Sequence, residues 1–320
     1  MRKKTASALV GVAVLGVVVA TGYAVLHHVT PLFTPDGCTA TVDGHSVSLS
    51  PEQGENAALI VAVSVQRGMP ARAASIALAT AYQESKLYNL EQGDRDSLGL
   101  FQQRPSQGWG TRQQILNPYY SINAFYDALA KVDGYDTMRI TAAAQEVQHS
   151  GYPEAYADHE VDARTLASAL TGNSPHAFTC VVRGDVPKGR AKLNDLGLTH
   201  RADSVRREVE TVFGHQSLGG FAAGGVSSGH MKGSAHYDGR AIDIFERPIT
   251  PANKIKGWAI AQYLVAQADR LAIQTVIFDG RIWRSGSEST SGWRTYDPPE
   301  NSGDPAVLEH RDHVHVDVFP

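Results

Sequence analysis

Apolar residues recur at helical spacing through much of the first half of the chain, and the punctuation between them marks where helices begin and end. Ser50-Pro51-Glu52-Gln53 offers an N-cap serine, proline at the first helical position and glutamine at the third, and Gly68 closes the periodic run. A helix over 51–67 follows. A second is predicted over 70–84, a third opens at the Asn117 cap with Pro118 behind it, and helical spacing returns over 141–148 and 158–170. No strand alternation of comparable strength interrupts them, so 51–172 reads as mainly α.

The pattern then changes. Residues 183–198 are polar, carry Gly and Pro and have no period, which marks a linker. Beyond a helix over 201–213 lies a glycine-rich loop at 219–225, then a buried strand over 241–245. Thr250-Pro251 starts a helix reaching about 272. Strands follow over 274–278, over 281–284 after the Asp279-Gly280 hairpin signal, and over 313–319. The expected fold class is α+β: a membrane or leader segment at 1–30, a helical domain at 31–182, the linker at 183–198, and at 199–320 a small domain with an antiparallel sheet.

The N-terminus sets the compartment. Arg2, Lys3 and Lys4 precede an uncharged run over 5–26, which as a helix covers roughly 33 Å, enough for a bilayer core. Basic residues before it favour an inside N-terminus and an exported remainder. The run exceeds an ordinary leader core of about 7–15 residues, which favours an uncleaved anchor; a cleaved signal peptide is the alternative, and both place the rest outside the cytoplasmic membrane. With a net charge of -4 and no dense basic run elsewhere, nucleic acid is not an expected partner. Cys38 and Cys180, exported, are expected to form a disulfide; a loop of about 140 residues is worth roughly 5 kcal/mol on the chain-entropy model.

Two constellations carry chemistry. In the helical half, Glu84-Ser85 closes a helix and Gly99-Leu100-Phe101-Gln102 forms a loop beyond it. Apolar walls raise a carboxyl pKa, which suits a general acid acting on a glycosidic oxygen. The spacing resembles the goose-type lysozyme and lytic transglycosylase superfamily, with Phe101 where Met is commoner. The resemblance implies Glu84 as the acid and Gln102 in the glycan cleft; Asp94 and Asp96 are open as a second carboxylate.

The second constellation is richer. Asp238-Gly239 can fold His236 and Asp243 toward one point, and His313 and His315 share one face of a strand. Two such ligands with a further histidine give zinc three protein ligands and an open position, the arrangement of a catalytic site. Asp312 is the candidate base for an activated water, and His313 a candidate hydrogen-bond donor to an oxyanion. Ser234-Ala235-His236-Tyr237-Asp238-Gly239-Arg240-Ala241-Ile242-Asp243 matches the Ser-x-His-x-x-Gly-x-Ala-x-Asp signature of the zinc D-alanyl-D-alanine peptidases, whose superfamily includes lysostaphin-like endopeptidases and the hedgehog domain. Asp312-His313-Val314-His315 is similar to their second motif, with Asp for the commoner Glu. The resemblance implies zinc on His236, Asp243 and His315 with Asp312 as base; Glu309 as base or His313 as ligand are the alternatives. Where several such peptidases place an upstream Arg to grip substrate this sequence departs, offering His230 and Lys232, so His230, with Ser234, is the candidate on the substrate side.

The joint expectation is a peptidoglycan hydrolase at the outer face of the cytoplasmic membrane, with one module for glycan strands and a zinc peptidase module for peptide stems. The alternative is a zinc-containing scaffold that holds the wall without cutting it.

Overall fold

The computed structural model describes residues 35–298 and 303–320. The expected anchor or leader at 1–30 lies outside them; among the described residues no helix is long and apolar enough to cross a membrane.

Residues 36–320 form one compact unit of mixed helices and antiparallel sheets. Its helices are α1 (Pro51–Gln66), α2 (Ala71–Ser85), α3 (Arg112–Ile115), α4 (Pro118–Leu129), α5 (Ile140–Gln148), α6 (Glu160–Leu170), α7 (His200–Phe213), α8 (Pro251–Ala266) and α9 (Pro305–Leu308). The caps read from sequence are in place. Ser50 and Gln53 make a reciprocal capping box, and Asn117 and Thr250 accept the free N–H groups that open α4 and α8. α8 stops at Ala266, short of 272, because the chain turns there into the next strand.

A three-stranded sheet in the first half has no counterpart in the sequence reading. β1 (Gly37–Val42) pairs antiparallel with β2 (His45–Leu49) and with β3 (Phe178–Val181). Asp43 and Gly44 both have positive φ, +49° and +82°, as a two-residue hairpin turn requires. Cys38 lies opposite Cys180 in the register, and the two form the expected disulfide.

The second sheet has six strands in the order β4-β5-β9-β6-β7-β8. They are β4 (Leu218–Gly219), β5 (Ala241–Phe245), β6 (Ile273–Phe278), β7 (Arg281–Arg284), β8 (Arg294–Thr295) and β9 (His313–Val318), all paired antiparallel. The last strand in sequence therefore sits centrally, between β5 and β6.

Helix α8 joins the two halves. A Cβ on its Gly257 would lie 2.1 Å from the Phe278 ring of the sheet, so α8 sits close over β6. On its other side a Cβ on Gly172 would fall 1.9 Å from the Ile255 carbonyl. Fully buried Gln262 accepts from Phe178 N–H at 2.7 Å and donates to Ala169 C=O at 2.6 Å. The indoles of Trp283 and Trp293 donate to the Cys180 and Phe178 carbonyls. One hydrophobic core runs through both halves.

Candidate metal centre

Strand register builds the site. Asp243 on β5 pairs directly with His315 on β9, so their side chains leave the same face as neighbours. His236 arrives from a 3-10 turn, Ala235–Asp238, whose N-terminus is capped by the Ser234 hydroxyl and whose end is Gly239 in the left-handed conformation. His236 Nε2 lies 3.1 Å from His315 Nδ1 and 3.3 Å from Asp243 Oδ1, and His315 Nδ1 lies 3.1 Å from that same oxygen. All three residues are buried.

Outer contacts dictate which ring atoms face inward. His236 Nδ1 is 2.7 Å from the Gly220 carbonyl, which can only accept, so Nδ1 carries the proton and Nε2 presents its lone pair. His315 Nε2 points to Asp317 Oδ2 at 3.4 Å, leaving Nδ1 inward. Two nitrogen lone pairs and a carboxylate oxygen then converge, an arrangement that could hold a cation. Donor atoms 2.0–2.1 Å from a tetrahedral zinc lie about 3.3 Å apart, close to the spacings observed. Without a metal, a proton takes that place. Burial opposes charge on His315, but its hydrogen bonds to Asp243 and Asp317 outweigh burial and lift its pKa to about 9. Burial likewise opposes ionisation of Asp243, yet the bonds from His236 and His315 hold its carboxyl far below the usual range.

Gly220 is a functional position that sequence reasoning passed over within a glycine-rich loop. Its φ is +78°, and a Cβ there would lie 2.3 Å from His236 Cε1 and 2.8 Å from Asp243 Oδ2. Only glycine lets the backbone carbonyl reach the ring behind the site.

His230, placed by sequence on the substrate side, lies against the candidate ligands themselves. Its ring stacks on His236 with centroids 3.9 Å apart and planes at 19°. One ligand atom each from His230, His236 and Asp243 lie within 4.8 Å of one another, a group that could hold a metal ion. Ser234 is spent on capping the His236 turn.

Beside these candidate ligands stands a second set. His313 Nε2 is 3.8 Å from Asp243 Oδ1, while its Nδ1 is held by Asp312 Oδ1 at 2.7 Å. Asp312 Oδ2 accepts from Arg247 Nε at 2.7 Å and Nη2 at 2.6 Å. Burial opposes ionisation of Asp312, but these two partners prevail and lower its pKa. Arg247 also lies over the Phe245 ring, 4.3 Å from its centroid. His310 packs against both His313 and His315; burial and their neighbouring charge push its pKa down to about 3, so it is neutral. Glu309 pairs with Arg311.

In the helical half, Glu84 sits in the last turn of α2, which Lys86 ends in a left-handed conformation. Tyr156 donates its hydroxyl to Glu84 Oε1 at 2.8 Å. Burial raises the Glu84 pKa more than the Tyr156 and Gln148 hydrogen bonds lower it. Gln102 folds back on its own loop, donating to the Gly99 carbonyl and filling the space a side chain on Gly93 would need. Asp96 is held by Arg104 and the Ser106 N–H, and Asp94 projects into solvent, 93% exposed.

Residues 194–306 match the family described as VldE, C-terminal domain. The matched stretch takes in His230, His236 and Asp243 and ends before Asp312, His313 and His315. No curated protein matches the chain.

Proposed function

We propose that the chain is a zinc-dependent peptidoglycan hydrolase that cuts peptide stems or cross-links at the centre formed by His236, Asp243 and His315. The observation that carries this reading is the convergence of their three acceptor atoms at 3.1–3.3 Å beside a third histidine, His313, held by Asp312. The likeness of 234–243 and 312–315 to the zinc D-alanyl-D-alanine peptidases supports it.

Zinc, when bound, supplies Lewis acidity and lowers the pKa of water. His236, Asp243 and His315 would hold it, with Gly220 and Asp317 fixing the two rings. Proton movement falls to His313 at Nε2, which faces the centre. It takes the proton of the attacking water and returns it to the leaving amine. Asp312, the base expected from sequence, has one oxygen on His313 and the other on Arg247, so it positions His313 and stabilises its charged form. Arg247 keeps Asp312 ionised.

Glu84, protonated more readily than an ordinary carboxyl, is the proposed acid for a second cut in the glycan strand. With Asp96 committed to Arg104, one acid/base group acts there, which favours transglycosylase over two-carboxylate hydrolysis. The uncharged run at 5–26 and the disulfide support an outward-facing position at the cytoplasmic membrane.

Purified sacculi incubated with the zinc-loaded protein, followed by separation of the fragments, test this. New amino termini are expected for wild type and are lost in His313→Ala while zinc stays bound. Intact peptide stems with zinc present would defeat the peptidase reading and leave the wall-binding scaffold.

A further inference from the structure

We propose that His230 is a labile fourth protein ligand, closing the open position of the metal in the resting protein, so that the site is latent until the loop carrying His230 moves away. This rests on the metal centre proposed above and concerns its regulation.

Two kinds of histidine meet at the site. His236 and His315 each have a partner behind the ring, the Gly220 carbonyl and Asp317, and both are buried. His230 has neither. Among the described residues no hydrogen bond fixes its ring, which is held by stacking on His236 at 3.9 Å. Ligands lacking such an outer partner bind metal more weakly. Yet its ligand atom lies within 4.8 Å of those of His236 and Asp243, close enough to complete a coordination shell after a small displacement.

The segment bearing it is built to move. Between Gly220 and Ser234 there is no helix or strand, and Gly224, Gly225, Gly229 and Gly233 all have positive φ. Met231, Lys232 and Gly233 are exposed, so few buried contacts would be lost when the loop opens. What holds the closed state is Tyr237, whose hydroxyl accepts from the His230 N–H at 3.1 Å and donates to its carbonyl. Tyr237 follows His236 directly, so the clamp is anchored to a metal ligand's own turn. With three ligands fixed and one tethered, the loop governs whether the fourth position is open to water or substrate. A peptide stem seated along the loop would displace His230 and expose the metal only where substrate is present.

The cobalt-substituted full chain tests this without cleavage. Visible absorption and acetohydroxamate titration are compared for wild type, His230→Ala and Tyr237→Phe. If the position is closed nine-tenths of the time, removing His230 tightens acetohydroxamate binding by about tenfold, since apparent affinity scales with the open fraction. The cobalt bands should change in His230→Ala, and Tyr237→Phe should shift hydroxamate affinity in the same direction with every ligand retained. Identical bands and affinities in wild type and His230→Ala overturn the role of His230 while leaving the metal centre standing. Failure of wild type to take up more cobalt than His236→Ala overturns both.

Discussion

Replacing Gly220 by alanine should disable metal binding without touching a ligand. The added Cβ would lie 2.3 Å from His236 Cε1 and 2.5 Å from Nδ1, whereas carbon atoms pack at about 3.5 Å. The ring must therefore retreat by about 1 Å, against a tolerance of about 0.2 Å in metal–ligand distance. The 2.7 Å hydrogen bond from Nδ1 to the Gly220 carbonyl would be distorted at the same time. Loss of an outer contact of this kind alone weakens metal binding about 10–100-fold, so the combined effect should reach at least the upper end. Alanine also strains a backbone at φ +78° by about 1–2 kcal/mol, a cost unrelated to the metal. Gly224→Ala separates the two, because its φ is +81° and a Cβ there meets nothing within 4 Å. Zinc affinity by chelator competition should fall in Gly220→Ala and hold in Gly224→Ala, with similar losses of stability. Equal zinc affinity in the two variants would refute the claim that Gly220 is reserved for the His236 ring.

Glu84→Gln should stabilise the protein at neutral pH. The folded pKa of Glu84 is raised, so between the ordinary carboxylate pKa and the folded value the native state holds a proton the unfolded chain has lost, and stability falls as pH rises. The gain in melting temperature should be greatest near pH 7 and fade toward pH 4, while any glycan-cleaving activity is lost. Replacing Cys38 and Cys180 by serine opens a loop of 142 residues and should cost about 5 kcal/mol on the chain-entropy model, read from urea unfolding. Gln262→Ala leaves the Phe178 N–H buried without its partner, while the Ala169 carbonyl keeps its hydrogen bond from the Gly172 N–H. About 1–3 kcal/mol for the orphaned N–H is the expected loss, with chemical denaturation as the measure.

Local signals carried much of this structure. Ser50, Asn117 and Thr250 announced their helices because a cap is a short-range hydrogen bond between near neighbours in sequence. Ala241–Phe245 and the Asp279-Gly280 hairpin were equally legible. The sheet of β1, β2 and β3 was not, although Asp43-Gly44 is as good a hairpin signal; its third strand arrives from residue 178, and a short strand shows little before its partner is known. At the site, His236 and Asp243 could be paired from their spacing. The contact of Asp243 with His315 depends on a register between strands 72 residues apart. Arg247 gave no signal, since what marks it is Asp312 on the far side of the sheet pairing. Gly220 was hidden for a different reason: a glycine needed for close approach looks like one needed for flexibility until the neighbouring ring is in view.

Gln262 and the helix that carries it bear on how the whole molecule meets a polymer. Because α8 is buried between the six-stranded sheet and the first helical half, Glu84 and the His236, Asp243 and His315 cluster have their spacing set by a shared core and not by a tether. A flexible two-module enzyme samples many separations and can cut a mesh wherever either bond happens to fall within reach. A rigid one is a gauge. On the function proposed above it would act on both bonds only where strand and stem are presented at its own fixed interval, so the architecture of the wall, and not only the chemistry of its bonds, would decide where it cuts.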